Sequence, residues 1–557
     1  MKYLGAIQTS SMKYKTSTPH SSLPPLPSKF LDIIPLPTLR KSHFQTLSMR
    51  RPLPSRTPSP RCLRQCNVPY WKNRRQPTNV RPFHIPQRLL TRCDVGHVVS
   101  IDMLPDDVLL ETFHFYVYDG YMWQSLVHVC RRWRSIVFGS PRYLDLQLVC
   151  TPRTPARDML DVWPALPLVV QCGEPSEGSA DNIIAPLERS DRVCQVRLSN
   201  VRISKLETFL AVMQKPFPEL THLELWSDDR PRPLIPESFL DGSAPRLEYL
   251  YLAGVQFPRL PKLLSSTTHL NSLKLNIPHS EYISPDAMGT ALSALTSLKS
   301  FGLEFPSSHS RPDQESRGPP PSTRSALPVL RDFEFKGASE YLDDLVAHID
   351  TPQLNKLEIT FFENVVFDAP QLIQFISRSQ ISSVLEIADI TLWDTAIRLR
   401  FSSRTSGHRE RKIMELNISC GGMDQLASSM EQIFSSCLPP FPMLDDLYVH
   451  VYLDPQPNRT DNNRLWLEVL RLFTAVKNLY LPFEISHYFS YALQDLVVKG
   501  RTTEILPSLQ NIFLGPMLLG TDPKLPGRIL GKIKQFIAAR QVAGHSIVLS
   551  NWDLPLC

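Results

Sequence analysis

From residue 193 onward, apolar positions recur in one spacing. The hexamers LTHLEL at 220, LEYLYL at 247, LNSLKL at 270 and LKSFGL at 298 are apolar at their first, fourth and sixth residues. The spacing returns as LRDFEF at 330, LNKLEI at 354, IADITL at 387 and IMELNI at 413. It continues as LDDLYV at 444, VKNLYL at 476 and LQNIFL at 509, with VCQVRL at 193 as a first member. These twelve starts cover 316 residues, a mean interval of about 29. Each hexamer predicts a short strand whose alternate side chains face opposite ways. The remainder of each interval is a return segment, and stacked neighbours form a parallel sheet over a shared core. FDAPQLIQFISR predicts one returning helix, with Asp368 as its N-cap and Pro370 just inside. RPDQESRGPPPSTRS at 311–325 reads as a loop extruded between two repeats.

Ahead of the repeats the period changes. Leu126, Val129, Cys130, Trp133, Ile136 and Val137 fall at i, i+3, i+4, i+7, i+10 and i+11, which predicts one helix with a continuous apolar face. His128, Arg131, Arg132 and Ser135 take the opposite side, and GSP at 139–141 stops the helix. LPDDVLLETFHFYV predicts a helix before it. Pro105 suits a first helical turn, Asp106 and Asp107 favour its positive end, and Leu109 and Phe113 repeat at i, i+4. No second cysteine or histidine shares the face of Cys130, so it reads as a small hydrophobe rather than a metal ligand. Two helices in about forty residues cannot build a self-sufficient core. Their broad apolar surface therefore anticipates a protein partner.

Composition separates a tail from a body. Residues 1–98 are rich in Pro, Ser, Thr and Arg without a sustained period, which predicts a disordered basic tail. Within it Thr57 and Ser59 precede prolines, as sites of proline-directed phosphorylation do, although a plain solvated tail is the expectation. The first 100 residues hold 17 Lys and Arg against two Asp, a net of +15, whereas the remainder is net −9. A body of that sign is not built to follow a phosphate backbone, so nucleic acid is not the expected partner. No apolar run is long enough to span a bilayer, and the N-terminus lacks a signal-peptide core. A soluble intracellular protein is expected, in the cytoplasm or the nucleus. Ten cysteines are too sparse for a disulfide framework. Cys62 and Cys66, with His84 and Cys93 downstream, match no usual zinc spacing, so neither metal nor cofactor is expected. Phosphate loops, H-E-x-x-H and nucleophile elbows are all missing, and no enzyme is expected.

LPDDVLLETF followed by LVHVCRRWRSIVFGSPRYLDL resembles an F-box. Leu104, Pro105, Val108 and Leu109 match its opening Leu-Pro-x-x-[Ile/Val]-Leu, and Val129, Cys130, Arg131, Trp133 and Pro141 its closing Val-Cys-[Arg/Lys]-x-Trp and later Pro. VYDGYMWQS departs from the usual Leu-x-x-x-Asp-Leu between them. LQLVCTPRTPARDMLDVWPALPLVV resembles the segment after the F-box in a large set of mushroom-type fungal proteins. The interval is that of leucine-rich repeats, though most repeats here lack the usual Asn. The resemblance implies an α/β fold: a helical F-box at 99–145, a linker or cap at 146–190, and an irregular leucine-rich-repeat solenoid at 191–557. It implies a Skp-type adaptor as partner, through it a cullin–RING ubiquitin ligase, and an unknown protein substrate on the repeats. The adaptor contacts would be Leu104, Pro105, Val108, Leu109, Phe113, Val129, Cys130 and Trp133, with Leu126 and Ile136 in the core. The alternative is a leucine-rich-repeat scaffold with no ubiquitin-ligase role.

Position five of each hexamer is expected to point away from the core onto a concave face. In chain order these residues are Arg197, Glu224, Tyr251, Lys274, Gly302, Glu334, Glu358, Thr391, Asn417, Tyr448, Tyr480 and Phe513. The last three predict an aromatic ladder, the residue type that dominates binding hot spots, and it is the expected substrate-binding surface.

Overall fold

The computed structural model describes residues 101–117, 123–173, 178–277, 282–306, 324–362, 369–379, 381–393, 395–404, 413–419, 443–452, 467, 470–471, 473–515 and 525–552. The chain divides into two units, Met1–His97 and Val98–Cys557, and every described residue belongs to the second. The expectations for the tail, including Thr57, Ser59, Cys62, Cys66, His84 and Cys93, lie outside the described residues, as do Asp368 and most of the 311–325 loop.

Helices α1 (Asp106–Tyr116), α2 (Trp123–Val127) and α3 (Arg131–Gly139) come first. Strands β1 (Leu148–Cys150), β2 (Leu168–Gly173), β3 (Val193–Ser199), β4 (His222–Trp226), β5 (Tyr249–Ala253), β6 (Ser272–Asn276) and β7 (Ser300–Glu304) come next. The chain continues through β8 (Ser325–Ala326), β9 (Asp332–Gly337), β10 (Ile349–Asp350), β11 (Lys356–Phe361), β12 (Ile387–Trp393), β13 (Ala396–Ser402) and β14 (Ile413–Ser419). It ends with β15 (Asp446–Tyr452), β16 (Asn478–Leu481), β17 (Asn511–Leu514) and β18 (Val548–Asn551). Between strands run α4 (Ala156–Val162), α5 (Asp181–Glu188), α6 (Ile203–Val212), α7 (Leu260–Ser266), α8 (Pro285–Ser293), α9 (Ser339–Ala347), α10 (Pro370–Arg378), α11 (Phe483–Val498) and α12 (Leu525–Val542).

Sixteen of these strands form one sheet, ordered β1-β2-β3-β4-β5-β6-β7-β9-β11-β14-β13-β12-β15-β16-β17-β18, and β8 pairs with β10 apart from it. All its pairings are parallel except β12·β13 and β13·β14. The fold is thus mixed α/β on a large, mostly parallel sheet. β1 and β2 lie inside 146–190, the segment expected as a linker or cap, and form the first edge of the sheet.

The hexamer spacing has a direct backbone counterpart. In β4, Leu223 and Leu225 are buried and His222, Glu224 and Trp226 half-buried, the alternation a half-covered strand requires. The carbonyl of the second hexamer residue accepts two successive N–H groups from the next strand. Thr221 O accepts from Glu248 and Tyr249, Glu248 O from Asn271 and Ser272, and Asn271 O from Lys299 and Ser300. Asp445 O and Lys477 O do the same toward the C-terminal end. The two N–H groups at each turn into a strand are therefore satisfied by the preceding repeat.

Two hexamers sit differently from the expected order. β12 runs out beside β15, turns back as antiparallel β13, and only then does β14 lie against β11. Both hexamers also shift by two residues: Ala388 and Ile390 are level with Leu447 and Val449, and Met414 and Leu416 with Leu357 and Ile359. Because side chains alternate with period two, a two-residue slip keeps the same face buried and leaves no trace in the pattern. Position five is accordingly Asp389 and Glu415, not Thr391 and Asn417.

The return helices brace one another. Asp343, buried on α9, accepts hydrogen bonds at Oδ1 from the N–H groups of Gln371 (2.8 Å) and Leu372 (2.9 Å). The first turn of α10 is thus capped from the preceding helix, with Pro370 at its start as expected. Asp343→Ala is expected to cost about 1–2 kcal/mol by removing this cap, and urea denaturation would measure it. Asp343→Asn, which keeps an acceptor oxygen, should lose less; equal losses would show that the acceptor is not what matters.

Candidate functional site

The helical unit carries the first set of candidate residues. Leu109 and Phe113, one turn apart on α1, are 0% and 1% exposed, and Val117 continues their face. They pack with Trp123, Leu126 and Val127 of α2 and Val137 of α3 in the continuous core of the molecule. Leu109 and Phe113 are therefore core residues rather than contact residues, because the i, i+4 stripe faces inward. Ile136 also packs against that core, half-buried.

The expected single helix over 126–137 is two helices broken at Cys130. Cys130 is extended (φ −156°, ψ 171°), and its Sγ accepts the Trp133 N–H at 3.4 Å, which starts α3. Cys130 is thus an N-cap rather than a member of an apolar stripe. The break turns Val129 outward, to 58% exposed. Trp133 is half-buried with its ring 4.7 Å from that of Phe113. Leu104 packs partly into the core, while Pro105 is exposed at the N-cap of α1.

Arg132, which periodicity assigns only to a polar face, joins these parts. It donates from Nε (2.9 Å) and Nη2 (2.6 Å) to Asp106 Oδ1, and from Nη2 to Leu104 O (2.6 Å). It fastens the Leu-Pro turn to α3. What remains outside is an apolar set: Met103 (74% exposed), Val108 (42%) and Phe115 (77%), with Val129 beside the cap. Val108 and Phe115 lie seven residues apart on the outer face of α1. Phe115 and Met103 belong to neither sequence motif, and only their exposure reveals them.

The second candidate is the outward face of the sheet. In register, position five reads Arg197, Glu224, Tyr251, Lys274, Gly302, Glu334 and Glu358 from β3 to β11. It continues through Glu415, Arg400 and Asp389 to Tyr448, Tyr480 and Phe513. Gly302 has no side chain, and Lys274 reaches across its strand to Glu334 at 2.9 Å. Lys356 pairs with Glu358 at 2.7 Å.

Tyr448, Tyr480 and Phe513 are brought together as a stack. Tyr448 and Tyr480 have ring centroids 4.2 Å apart and planes within 6°, and Tyr480 and Phe513 are 4.6 Å apart within 8°. All three are half-buried. Beside them, two residues earlier on the same strands, Asn511 donates to Asn478 and Asn478 to Asp446 Oδ1, each at 2.7 Å, while Arg404 donates to Asp446 Oδ2 at 2.7 Å. Burial raises both tyrosine pKa values, so both hydroxyls stay protonated through the physiological range. Trp552, which no hexamer announces, lies edge-on to Tyr448 (5.6 Å) and Tyr480 (5.4 Å). Its signal in the sequence is weak, a lone aromatic after the short SIVLSN run.

Among the described residues no group of three His, Cys, Asp or Glu side chains is placed to hold a metal ion. Among the same residues no helix is long and apolar enough to cross a membrane. No model of a known protein family matches the chain, and no curated protein matches it.

Proposed function

We propose that the protein is the substrate receptor of a Skp–cullin–F-box type ubiquitin ligase. In this reading residues 99–145 are the F-box that docks a Skp-type adaptor, and the α/β region after it is an irregular leucine-rich-repeat domain that holds a protein substrate. The chain positions its partners, and the ubiquitin chemistry is theirs. The observation that carries the reading is the apolar set left outside the helical unit: Met103, Val108, Phe115 and Val129 are exposed within or next to the two sequence blocks that hold the Leu-Pro turn and the Cys-Arg-x-Trp cap. Large apolar side chains left exposed on a small helical unit are candidates for protein contact. The two sequence blocks are also held together by Arg132, so one surface presents both.

The test is co-purification with a Skp-type adaptor and its cullin, read by mass spectrometry. A chain carrying both Val108→Asp and Phe115→Asp is expected to lose the adaptor by more than about 100-fold, since each carboxylate would be buried unpaired at the interface. Both side chains are exposed in the free protein, so its melting temperature should hardly move. Undiminished capture of the adaptor by the double variant would overturn the assignment.

A further inference from the structure

The aromatic stack ends abruptly at Tyr448. One face of its ring is covered by Tyr480, and the next strand on the other side, β12, presents only the short Asp389 in register. Among the described residues no ring or cation lies stacked on that second face. Two rungs along the same strands the equivalent end is filled. There Trp393 of β12 stacks on Tyr452 of β15, at 6.1 Å and within 16°, and the guanidinium of Arg398 from β13 lies 5.2 Å from the Trp393 centroid. Strand order puts Arg398 on the far side of Trp393 from Tyr452. The molecule thus already ends one of its stacks with an arginine.

We propose that the open face of Tyr448 receives a guanidinium group from an arginine of the bound protein, with Asp389 beneath it as counter-ion. This rests on the reading of the sheet face as substrate-binding, and it names the chemistry that face selects. Asp389 is flanked in register by Tyr448 on one side and by Arg400 on the other, with Glu415 beyond Arg400. In the row itself two carboxylates, Asp389 and Glu415, stand against the one guanidinium of Arg400, while the neighbouring Arg398 lies over the Trp393 ring and Arg404 is paired with Asp446. Arg400 makes no ion pair within 4.0 Å among the described residues, and its Nε is buried without a hydrogen-bond partner, so it does not occupy the carboxylate it adjoins. Asp389 accepts the Thr391 hydroxyl at Oδ1 (3.1 Å), and His450 Nε2 lies 3.5 Å from Oδ2. Side-chain exposure of 37% leaves Asp389 open to solvent and to a ligand. A planar, delocalised cation stacks on an aromatic face and pairs with a carboxylate at once, which a compact ammonium does less well. The incoming arginine would extend the ladder by one layer at the strand spacing.

The experiment uses the full chain and fluorescein-labelled peptides of three Gly-Ser-Arg or three Gly-Ser-Lys repeats, followed by anisotropy. The arginine peptide is expected to bind about fivefold or more tightly than its lysine match. Asp389→Asn, which keeps the acceptor for Thr391, and Tyr448→Leu should each weaken it about tenfold. Phe513→Leu, at the far end of the stack, should change it less than about twofold. Melting temperatures and adaptor capture of the three variants establish that each is folded. No binding, equal affinity for both peptides, or indifference to Asp389→Asn would overturn the proposal. So would a loss in Tyr448→Leu confined to a single-stranded oligonucleotide. If the arginine peptide fails while the adaptor is captured, the substrate-receptor reading stands without this subsite. Failure of adaptor capture by the unaltered chain removes that reading instead.

Discussion

Replacing Arg540 with Met is expected to lower the unfolding free energy by about 3–5 kcal/mol, among the largest effects of any single change to this chain. Arg540 sits on α12 and is 0% exposed. Its guanidinium donates to the carbonyls of Thr502 (3.1 Å), Leu506 (3.1 Å), Pro507 (3.2 Å) and Ile505 (3.5 Å). Those carbonyls line the turn that leads from α11 into β17, where Leu506 has a positive φ of 47°. No carboxylate shares the site among the described residues. Burial therefore lowers the Arg540 pKa, yet an arginine stays charged at neutral pH. The charge is held by carbonyl dipoles alone. Methionine would fill most of the volume but leave the Thr502, Ile505 and Pro507 carbonyls without that donor, whereas Leu506 O keeps the Leu509 N–H; each buried acceptor left unmatched costs about 1–3 kcal/mol. Lysine would keep the charge but, with one nitrogen, could not reach four carbonyls. The expected order in urea denaturation is native, then Arg540→Lys, then Arg540→Met. A methionine variant as stable as the native chain would mean that water already satisfies that turn.

Nothing in the sequence marks Arg540. It occurs in KIKQFIAARQV, one basic residue among several, and only the fold brings the 502–507 carbonyls around it. The strands are legible for the opposite reason. A parallel strand half-covered by helices needs an apolar residue at every second position, and Leu223 and Leu225 or Leu250 and Leu252 state this locally. The aromatic row is legible too, since Tyr448, Tyr480 and Phe513 occupy one position of three consecutive hexamers and parallel pairing puts them in register. Legibility stops where period two is ambiguous. Ala388 at a core position hides LEIADI as a hexamer, so IADITL stands out instead, two residues late. AIRLRFS alternates as a strand should, but it matches no hexamer because β13 runs antiparallel. In the helical unit the pattern 126–137 fits one helix as well as two, since Cys130 is apolar and only its cap hydrogen bond distinguishes them. Trp552 is only weakly marked because its contacts lie on strands 72 and 104 residues earlier in the chain.

Leu109→Asp and Val108→Asp are expected to have opposite consequences although the two residues are adjacent. Both match the same sequence motif. Leu109 is 0% exposed in the core between α1, α2 and α3, whereas Val108 is 42% exposed on the outer face of α1. A carboxylate at 109 would lose the packing of a buried leucine and would be desolvated without a partner, together more than about 4 kcal/mol. Three short helices lack the stability to absorb that. Hydrogen exchange should then show the amides of 106–139 losing protection while those of β4 to β7 keep theirs, because β1, β2 and β3 separate those strands from the end of the sheet nearest the helices in sequence and the two regions can open separately. Adaptor capture would be lost as well, but only because the docking unit has come apart. Val108→Asp should leave exchange unchanged, within about 0.5 kcal/mol in stability, and still lose the adaptor. The pair separates folding from docking, which either variant alone would confuse. Unchanged exchange in Leu109→Asp would refute the inward packing of α1. Retained capture in Val108→Asp, with exchange also unchanged, would move the docking surface away from the outer face of that helix.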